Sequence, residues 1–376
     1  MRLLGKKSQV SFDPFSNAWH GQNFELLDIE FDAQFDINKI DLNSSGLWRY
    51  KNFLPSTCSN SIISLGEGFT PFIKKITNEG VEVIIKLDHL NPSGSYKDRG
   101  ASVLISHLKS IGIQQIVQDS SGNAGASVAA YAAAAKINCK IFLPQATPES
   151  KINQMKAYGA EIIVIKGSRE ETAAVAFEEA KSSYYASHCF NPFFFQGTKT
   201  FVYEAYEQMN YQVPDYIVLP AGNGTLIIGA FLGYQDLQKA GLISIIPPII
   251  AVQTAACNPL ESAFLSNSNQ IKPITKKESI AEGIAIANPI RSEEILDCIF
   301  KTNGRVISVN EDEILEAWIE TSSAGHFIET TSAATIAGLN KFLQGIESGK
   351  KVLSLYSGHG LKSIDKIYRM SSKKNQ

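Results

Sequence analysis

The residue with the clearest chemical potential is Lys97, which stands in the turn-rich segment NPSGSYKDRG at positions 91–100. The sequence ASVLISHLKS follows and predicts a helix that begins near this lysine. A helix N-terminus carries partial positive charge, so it disfavours an ammonium group, as does loss of solvent. Both effects favour the neutral amine that a Schiff-base lysine needs near neutral pH. An exposed loop lysine fits this position equally, so Lys97 alone does not decide the function.

A second loop, SSGNAGAS at positions 120–127, lies between the apolar run IQQIVQD and the alanine-rich segment SVAAYAAAAK. Its small residues allow backbone amides to approach a ligand closely. Amides at a helix N-terminus bind carboxylates or phosphates, and the side chain of Asn123 can also donate to a phenolate oxygen. The alternative is an ordinary glycine-rich turn between a strand and a helix.

Two further loops follow apolar runs later in the chain. Residues 222–225 read GNGT, and their successive amides can form an anion-binding nest. No lysine follows as in a Walker loop, and Ile227 stands where a dinucleotide fingerprint has its third glycine, which leaves a phosphate cradle or a plain turn. Residues 357–360 read SGHG, and Ser357 falls at the carboxyl end of a predicted strand, where open α/β sheets bind ligands.

The elements around these loops alternate between short apolar runs and amphipathic helical segments from about Val81 onward, which predicts an α/β fold of two lobes, each a parallel-type sheet covered by helices. Asn310 followed by Glu313 predicts a capping box at one helix start. All four loops follow predicted parallel strands and can therefore converge on one cleft. The predicted strands cover residues 81–87, 113–119, 140–144, 161–167, 215–221, 249–253, 305–309 and 351–356.

Composition restricts the class of protein. The chain of 376 residues is 44% hydrophobic, and 35 basic residues nearly balance 37 acidic ones, so neither nucleic acid nor an anionic membrane is a predicted partner. The apolar stretch from Tyr216 to Tyr234 is interrupted by Pro220 and predicts strand, loop and helix rather than a membrane span. The N-terminus lacks a signal-peptide core, which favours a cytoplasmic protein.

The cysteines and histidines indicate neither a disulfide framework nor a metal site. The odd number of cysteines and the absence of a CxxC pair argue against a disulfide framework and against a zinc ribbon. None of the six histidines has a metal-binding spacing, so no metal is predicted. The cysteines are Cys58, Cys139, Cys189, Cys257 and Cys298.

The order of the lysine, asparagine, phosphate and serine loops resembles the β-family (fold type II) of pyridoxal-phosphate enzymes, and within it the threonine synthases. The similarity extends over nearly everything from Asn38 onward. Outside the loops it rests on GLWRYKNFLP (46–55), SLGEGFTPF (64–72), NPFFFQGTKT (191–200), AEGIAIANPIR (281–291), IETTSAA (328–334) and SGHGLK (357–362).

The resemblance implies a pyridoxal 5′-phosphate cofactor and a role for each loop. Lys97 would hold the cofactor as a Schiff base, Asn123 would contact its O3′, and Ser357 would face its pyridine nitrogen. A neutral hydroxyl does not keep that nitrogen protonated, which favours elimination and replacement at Cβ or Cγ. The phosphate would be bound by Gly222, Asn223, Gly224 and Thr225, and the substrate carboxylate by Ser120, Ser121, Gly122, Asn123 and Ala124.

The reaction that the resemblance implies is conversion of O-phosphohomoserine and water to L-threonine and phosphate. Threonine synthases commonly grip the substrate phosphate with an arginine where this chain has Phe194, and with an Asn-Ser pair where it has His188 and Cys189. His188, Lys199 or Arg99 can compensate. The SSGN opening of the second loop is shared with serine/threonine dehydratases, so a dehydratase or a β-replacement enzyme like cysteate synthase is the alternative. A binding protein without catalysis is a third.

The resemblance also implies a domain organisation. Residues 1–60 would form an arm packed on a large cofactor-binding domain made of 61–100 and 196–376, and residues 101–195 would form a small mobile domain that closes over a small amino-acid substrate. The relatives are often homodimers, which predicts one here.

Overall fold

The computed structural model describes residues 1–364 apart from positions 33, 56–60, 146, 148 and 168, so Cys58 lies outside the described residues. The chain divides into two compact units. The first contains Met1–Phe69 and Asn91–Phe201, and the second contains Thr70–Leu90 and the chain from Val202 onward. The predicted limits of an arm, a large domain and a small mobile domain stay a prediction.

The regular elements alternate as the sequence predicts. Within the described residues the strands are β1 Arg2–Gly5, β2 Ser11–Phe12, β3 Leu27–Glu30, β4 Phe72–Ile76, β5 Glu82–Lys86, β6 Gln115–Gln118, β7 Asn138–Pro144, β8 Glu161–Ile165, β9 Tyr184–Tyr185, β10 Tyr216–Pro220, β11 Ile249–Thr254, β12 Arg305–Val309 and β13 Lys351–Leu355. The α-helices are α1 Lys97–Ser110, α2 Asn123–Ala135, α3 Glu149–Ala157, α4 Arg169–Glu179, α5 Pro192–Thr198, α6 Thr200–Gln208, α7 Thr225–Lys239, α8 Pro259–Leu265, α9 Ser292–Lys301, α10 Glu311–Ser323 and α11 Thr330–Leu343. Short 3₁₀ helices cover Gln22–Phe24, Ile37–Lys39, Gly46–Phe53, Asp88–Leu90, Ala180–Ser182 and Gly360–Ser363.

The first unit contains two sheets. A four-stranded parallel sheet has the order β8-β7-β6-β9, and a three-stranded antiparallel sheet near the N-terminus has the order β2-β1-β3. Central strand β6 and helices α1 and α2 bury apolar side chains such as Val117, Leu104 and Val128 in one core. Removal of this apolar surface from water is the main stabilising contribution.

The second unit is built on a six-stranded sheet with the order β12-β11-β10-β13-β5-β4. Five of its strands, β12, β11, β10, β13 and β5, run parallel to one another. The sixth strand, β4, pairs antiparallel with β5 at one edge. The sequence of β11, IIAVQT, is buried along its whole length, as expected for a strand covered by helices on both faces.

Each of the eight predicted strands is present, and the capping box of Asn310 and Glu313 is formed at the start of α10. The sequence did not predict β1, β2, β3, β4 or β9. The stretch from Tyr216 to Tyr234 forms β10, a loop and part of α7, as predicted. Across the described part of the chain, no helix has the length and apolar character needed to cross a membrane.

Candidate active site

Lys97 is the first residue of α1, as the sequence predicts. The preceding turn depends on Gly94, which has a φ of 84° and donates its amide to the carbonyl of Asn91 at 2.7 Å. The Nζ atom of Lys97 lies 4.1 Å from the ring centroid of Tyr96 and donates to its hydroxyl. The lysine is therefore presented at a helix N-terminus, half-buried, with an aromatic hydroxyl beside its amine.

Asp98 connects the lysine loop to the second predicted loop. Its carboxylate is fully buried and accepts hydrogen bonds from the amide and the hydroxyl of Ser93 and from the hydroxyl of Ser127. The Ser93 amide and the Ser127 hydroxyl both lie at 2.6 Å. Because Ser127 belongs to α2, one carboxylate holds the starts of α1 and α2 together. The sequence analysis did not single out Asp98, although an acidic residue in the first helical turn was a visible signal.

The loop at positions 120–127 leads from β6 into α2, which begins at Asn123. A side chain at Gly125 would place its Cβ atom 1.9 Å from the carbonyl oxygen of Ser120, so this close approach requires glycine. The Ser120 hydroxyl accepts the Gly122 amide at 3.3 Å. Residues 121–123 remain half-buried, which leaves the helix N-terminus accessible to an anionic group.

The loop at positions 222–224 leads from β10 into α7, and Thr225 is the first helical residue. Gly224 has a φ of 69°, a left-handed conformation that disfavours other residues. A Cβ atom at Gly222 would lie 2.7 Å from the carbonyl oxygen of Gly283. Both glycines are thus required by the backbone, and they place a turn of small residues at the start of a 15-residue helix.

Ser357 follows β13 and is buried, with its Oγ atom 2.9 Å from Oγ of Ser332. The amide of Gly358 donates to the same Ser332 hydroxyl at 2.9 Å. Because β13 pairs in parallel with β10, the loop with Ser357 and the loop at 222–224 leave the same edge of the sheet.

Two further segments pack against these loops in the second unit. Gly283 lies against Gly222, and its amide donates to the Thr331 hydroxyl at 3.2 Å. The Thr330 hydroxyl donates to the carbonyl of Ile280 at 2.6 Å. The sequence analysis identified these segments, 281–291 and 328–334, only by resemblance and gave them no role. Their contacts now connect them with the predicted phosphate loop.

The predicted site residues are distributed over both units. Lys97 and residues 120–124 belong to the first unit, where Asp98 holds their helices together. Residues 222–225 and Ser357 belong to the second unit, at one edge of its sheet. The convergence of all four loops on one cleft stays a prediction.

Phe194 does not stand where a phosphate could reach it. Its side chain is fully buried in the core of the first unit, and its ring atoms lie 2.3 to 2.6 Å from the position that a Cβ atom of Gly100 would take. The ring of His188 contacts it edge-on, with the centroids 5.9 Å apart. The glycine at position 100 and the phenylalanine at 194 are therefore a matched pair in the packing of α1 against α5.

Two cations considered as replacements for the missing arginine are also buried. Arg99 donates from Nη1 to the Thr200 hydroxyl at 3.3 Å, and Nζ of Lys199 lies 4.6 Å from the ring centroid of Phe31. Each cation thus has contacts within the first unit.

Three histidines cluster around Tyr356 at the ends of β5 and β13. The ring centroid of His89 lies 5.5 Å from that of Tyr356 and 5.6 Å from that of His359, while His326 contacts Tyr356 at 5.3 Å. Burial, with the neighbouring charges of His359 and His326, lowers the pKa of His89 to about 4. His89 is therefore neutral at pH 7.

Cysteines and metal-ligating side chains do not form a second centre in the described residues. Cys139, Cys189, Cys257 and Cys298 are buried, and burial raises the pKa of the Cys139 thiol to about 12. A thiol in that state is a poor nucleophile. The described ranges contain no group of three or more His, Cys, Asp and Glu side chains arranged to hold a metal ion.

Comparison with solved structures shows a known fold. The chain is similar to a fungal L-serine ammonia-lyase from Rhizomucor miehei, with a TM-score of 0.71 and 21% identity over 81% of this chain and 98% of that structure. It is also similar to maize serine racemase, with a TM-score of 0.68 and 21% identity over 85% of this chain and 98% of that one. At this level of identity the likeness shows the fold alone.

Comparison with curated proteins and families is more specific. A threonine synthase of Methanocaldococcus jannaschii is 33% identical over 342 residues, which cover 89% of this chain and 84% of the relative. A threonine synthase of Synechocystis is 32% identical over 337 residues, covering 86% of each chain. Residues 63–358 match the family described as pyridoxal-phosphate dependent enzyme. The chain belongs to this family of fold type II enzymes, and pyridoxal phosphate is its cofactor.

Proposed function

We propose that this enzyme is a threonine synthase, a lyase that converts O-phosphohomoserine and water to L-threonine and phosphate. The observation that carries the proposal is the similarity to curated threonine synthases, which reaches 33% identity and extends over 89% of the chain. Lys97 and Ser357 both lie within residues 63–358, which match the pyridoxal-phosphate dependent enzyme family.

The local structure fits pyridoxal phosphate in each unit. Gly224 with its positive φ and Gly222 with no room for a Cβ atom present backbone amides at the start of α7, which suits a phosphate group. Ser357 offers a buried neutral hydroxyl, which suits a ring nitrogen that is not held as a cation. Lys97 and Asn123 each begin a helix and offer an amine and an amide.

In this proposal Lys97 would hold the cofactor, remove the proton from Cα of the substrate and then shuttle protons between substrate carbons while phosphate leaves Cγ and water adds at Cβ. Asn123 would donate to the phenolate oxygen, and Gly222 to Thr225 would bind the cofactor phosphate. When bound, the cofactor would supply an electron sink for the charge that develops at Cα. Ser357 would face the ring nitrogen, and a neutral hydroxyl there favours elimination and replacement over transamination.

Residues 120–124 bind the substrate carboxylate in this proposal. The amides at the start of α2 and the hydroxyls of Ser120 and Ser121 are the donors, and the helix N-terminus favours negative charge. The small mobile domain of residues 101–195 would close on the substrate and exclude water from the charged intermediate. We further propose a cytoplasmic homodimer.

The alternative is a serine/threonine dehydratase or a β-replacement enzyme like cysteate synthase. One observation favours this alternative. Phe194 stands where threonine synthases commonly have an arginine, and its side chain is fully buried in the core beside Gly100. No guanidinium could be placed there without repacking, so the phosphate of O-phosphohomoserine needs another partner.

Product identification separates the two proposals. Protein loaded with cofactor is mixed in parallel with O-phosphohomoserine, L-serine and L-threonine. Threonine and inorganic phosphate from the first substrate support the proposed function. Keto acid and ammonia from the hydroxy amino acids, with no threonine from the first, refute it and support the dehydratase.

Replacement of the lysine tests the catalytic assignment. Lys97→Ala should abolish turnover and leave the unfolding midpoint close to that of the wild type, because the residue is half-buried at a helix start. Lys109→Ala is the matched control, since Lys109 lies in the last turn of the same helix and donates to the carbonyl of Ala135 at 2.9 Å. Retained turnover in Lys97→Ala would contradict the assignment.

A further inference from the structure

A pair of buried hydroxyl groups lies in the second unit at the end of β13. Oγ of Ser332, in the first turn of α11, is 2.9 Å from Oγ of Ser357, and both side chains are at most 1% exposed. The two residues are 25 positions apart in the sequence and meet only through the packing of α11 beside the sheet.

The contact between the two hydroxyls can run in either direction, and an acceptor placed beside Ser357 decides which. The amide of Gly358 donates to Oγ of Ser332 at 2.9 Å, so the Ser332 oxygen already acts as an acceptor. Ser332 has one hydrogen of its own, and its possible acceptors are Oγ of Ser357 at 2.9 Å and the carbonyl of Gly358 at 3.3 Å. When Ser357 donates to an acceptor outside the pair, the 2.9 Å contact is a hydrogen bond only if Ser332 donates to Ser357.

In that arrangement Ser332 accepts from the Gly358 amide and donates to Ser357, and the hydrogen of Ser357 is available to the outside acceptor. Among the residues that the structure describes, Ser332 is the only hydrogen-bond partner of the Ser357 hydroxyl. A hydroxyl that already accepts one hydrogen bond is polarised and becomes a better donor. A ring nitrogen without a proton is an acceptor, so it matches a hydroxyl prepared in this way.

We propose that Ser332 is a positioning residue that orients the Ser357 hydroxyl as a hydrogen-bond donor toward the ring nitrogen of pyridoxal phosphate. The proposal rests on the role assigned to Ser357 under the proposed function. Ser332 does not itself touch the cofactor; it acts through Ser357 and through the Gly358 amide that it holds.

The opposite orientation makes a different prediction. If Ser357 donated to Ser332, and Ser332 to the carbonyl of Gly358, the hydrogen of Ser357 would be occupied. Removal of Ser332 would then release that hydrogen and leave cofactor affinity unchanged or improved. Under the proposed orientation, removal weakens affinity.

The test is a double-mutant cycle on cofactor affinity. Pyridoxal phosphate is titrated into cofactor-free wild type, Ser332→Ala, Ser357→Ala and the double variant, with absorbance of the bound cofactor as the readout. Ser332→Ala should weaken binding about five- to tenfold, the equivalent of one hydrogen bond. In the Ser357→Ala background the same change should alter the Kd less than about twofold, because the two residues act as one unit.

Ser354→Ala is the matched control. Ser354 is a fully buried serine on β13 whose hydroxyl donates to the carbonyl of Val218 at 2.9 Å, so its loss removes a similar hydrogen bond. It should lower the free energy of unfolding and leave the Kd unchanged. Equal changes of the Kd in Ser332→Ala and Ser354→Ala would show a general loss of structure and overturn the proposal.

Three further outcomes test the role proposed for Ser332. If Ser332→Ala does not fold, Ser332→Cys keeps the size of the side chain with a weaker donor and should give a smaller loss of affinity. A Kd for Ser357→Ala equal to that of the wild type overturns the inference. Failure to form threonine from O-phosphohomoserine, with the affinity pattern intact, overturns the proposed function and supports the inference.

Discussion

Glu67 is the centre of a buried hydrogen-bond network in the first unit. Its carboxylate is fully buried, and every donor around it is neutral. Two of these donors belong to α1 and α2, so Glu67 joins the helices that begin at Lys97 and Asn123. The donors are the indole of Trp48, the hydroxyls of Ser64, Ser102 and Tyr131, and the amide of Leu65.

The substitution Glu67→Gln tests this network without a change of size. The Trp48 indole donates to Oε1 at 3.0 Å and the Leu65 amide donates to Oε2 at 2.8 Å. The Trp48 indole also donates to Oγ of Ser102 at 2.9 Å, so it keeps one acceptor if the new NH₂ group takes the Oε1 position, while the Leu65 amide keeps its acceptor at Oε2. The hydroxyls can rotate and accept from the new amide.

The expected cost is the loss of the Trp48 bond to Oε1 together with weakening of the remaining bonds from charged to neutral, by about 1 kcal/mol each. Burial of a neutral amide instead of a carboxylate offsets part of this. We therefore expect Glu67→Gln to lower the free energy of unfolding by about 1–3 kcal/mol.

Urea unfolding followed by tryptophan fluorescence is the suitable assay. Trp19 and Trp48 both lie in the first unit, so a Trp318→Phe background restricts the signal to that unit. Glu161→Gln, an exposed residue at the start of β8 in the same unit, is the control and should change stability by less than about 0.5 kcal/mol. A loss in Glu67→Gln no larger than in this control would refute the reasoning.

Three more predictions concern buried groups. Burial lowers the pKa of His107 from its usual 6.5 to about 3 in the folded state, so the protein loses stability as the pH falls from 6.5 toward 3. Between pH 6.5 and 5 the free energy of unfolding should fall by about 1.4 kcal/mol per pH unit, and urea unfolding of His107→Gln should lack this pH dependence. Gly100→Ala should lower the free energy of unfolding by about 1–3 kcal/mol, because the new Cβ atom would meet the ring of Phe194. When Phe194→Leu is combined with it, the loss of stability in urea unfolding should be smaller than the sum of the two single losses. Strict additivity would disprove the contact. Glu204→Leu should lower the free energy of unfolding by about 3–5 kcal/mol, because the buried ammonium of Lys86, which lies 2.9 Å from the Glu204 carboxylate, would lose its counter-charge. Adding Lys86→Met should restore most of the stability. If the double variant is as unstable as Glu204→Leu in thermal unfolding, the charge is not the cause.

Local sequence signals predicted much of the fold. The eight strands announced by apolar runs are present, since a strand buried on both faces must be apolar along its length. The starts of α1, α2, α7 and α10 were predicted from turn residues and caps, because these interactions occur between residues close in sequence. The order of the loops resembles that of the family, and comparison with known proteins shows the family and the cofactor.

The missed strands have a common cause. Strands β1, β2, β3 and β9 are two to four residues long, and the exposed end of β4 has two lysines. Such segments become strands only when a partner strand supplies hydrogen bonds. Their structure is therefore decided by pairing, which for β9 is with the distant strand β6, and the pattern within each segment does not contain that partner.

The sequence by itself determined which loops carry chemical groups, since a lysine at a helix start and glycines after apolar strands are visible in it. Only the tertiary structure decided the surroundings of those groups. Ser332 meets Ser357, Asp98 meets Ser127, and Phe194 faces Gly100 rather than a ligand. The physical reason is that burial and hydrogen-bond partners are set by packing between elements that are distant in the sequence. The sequence therefore does not distinguish a phenylalanine or serine that lines a site from one that supports it.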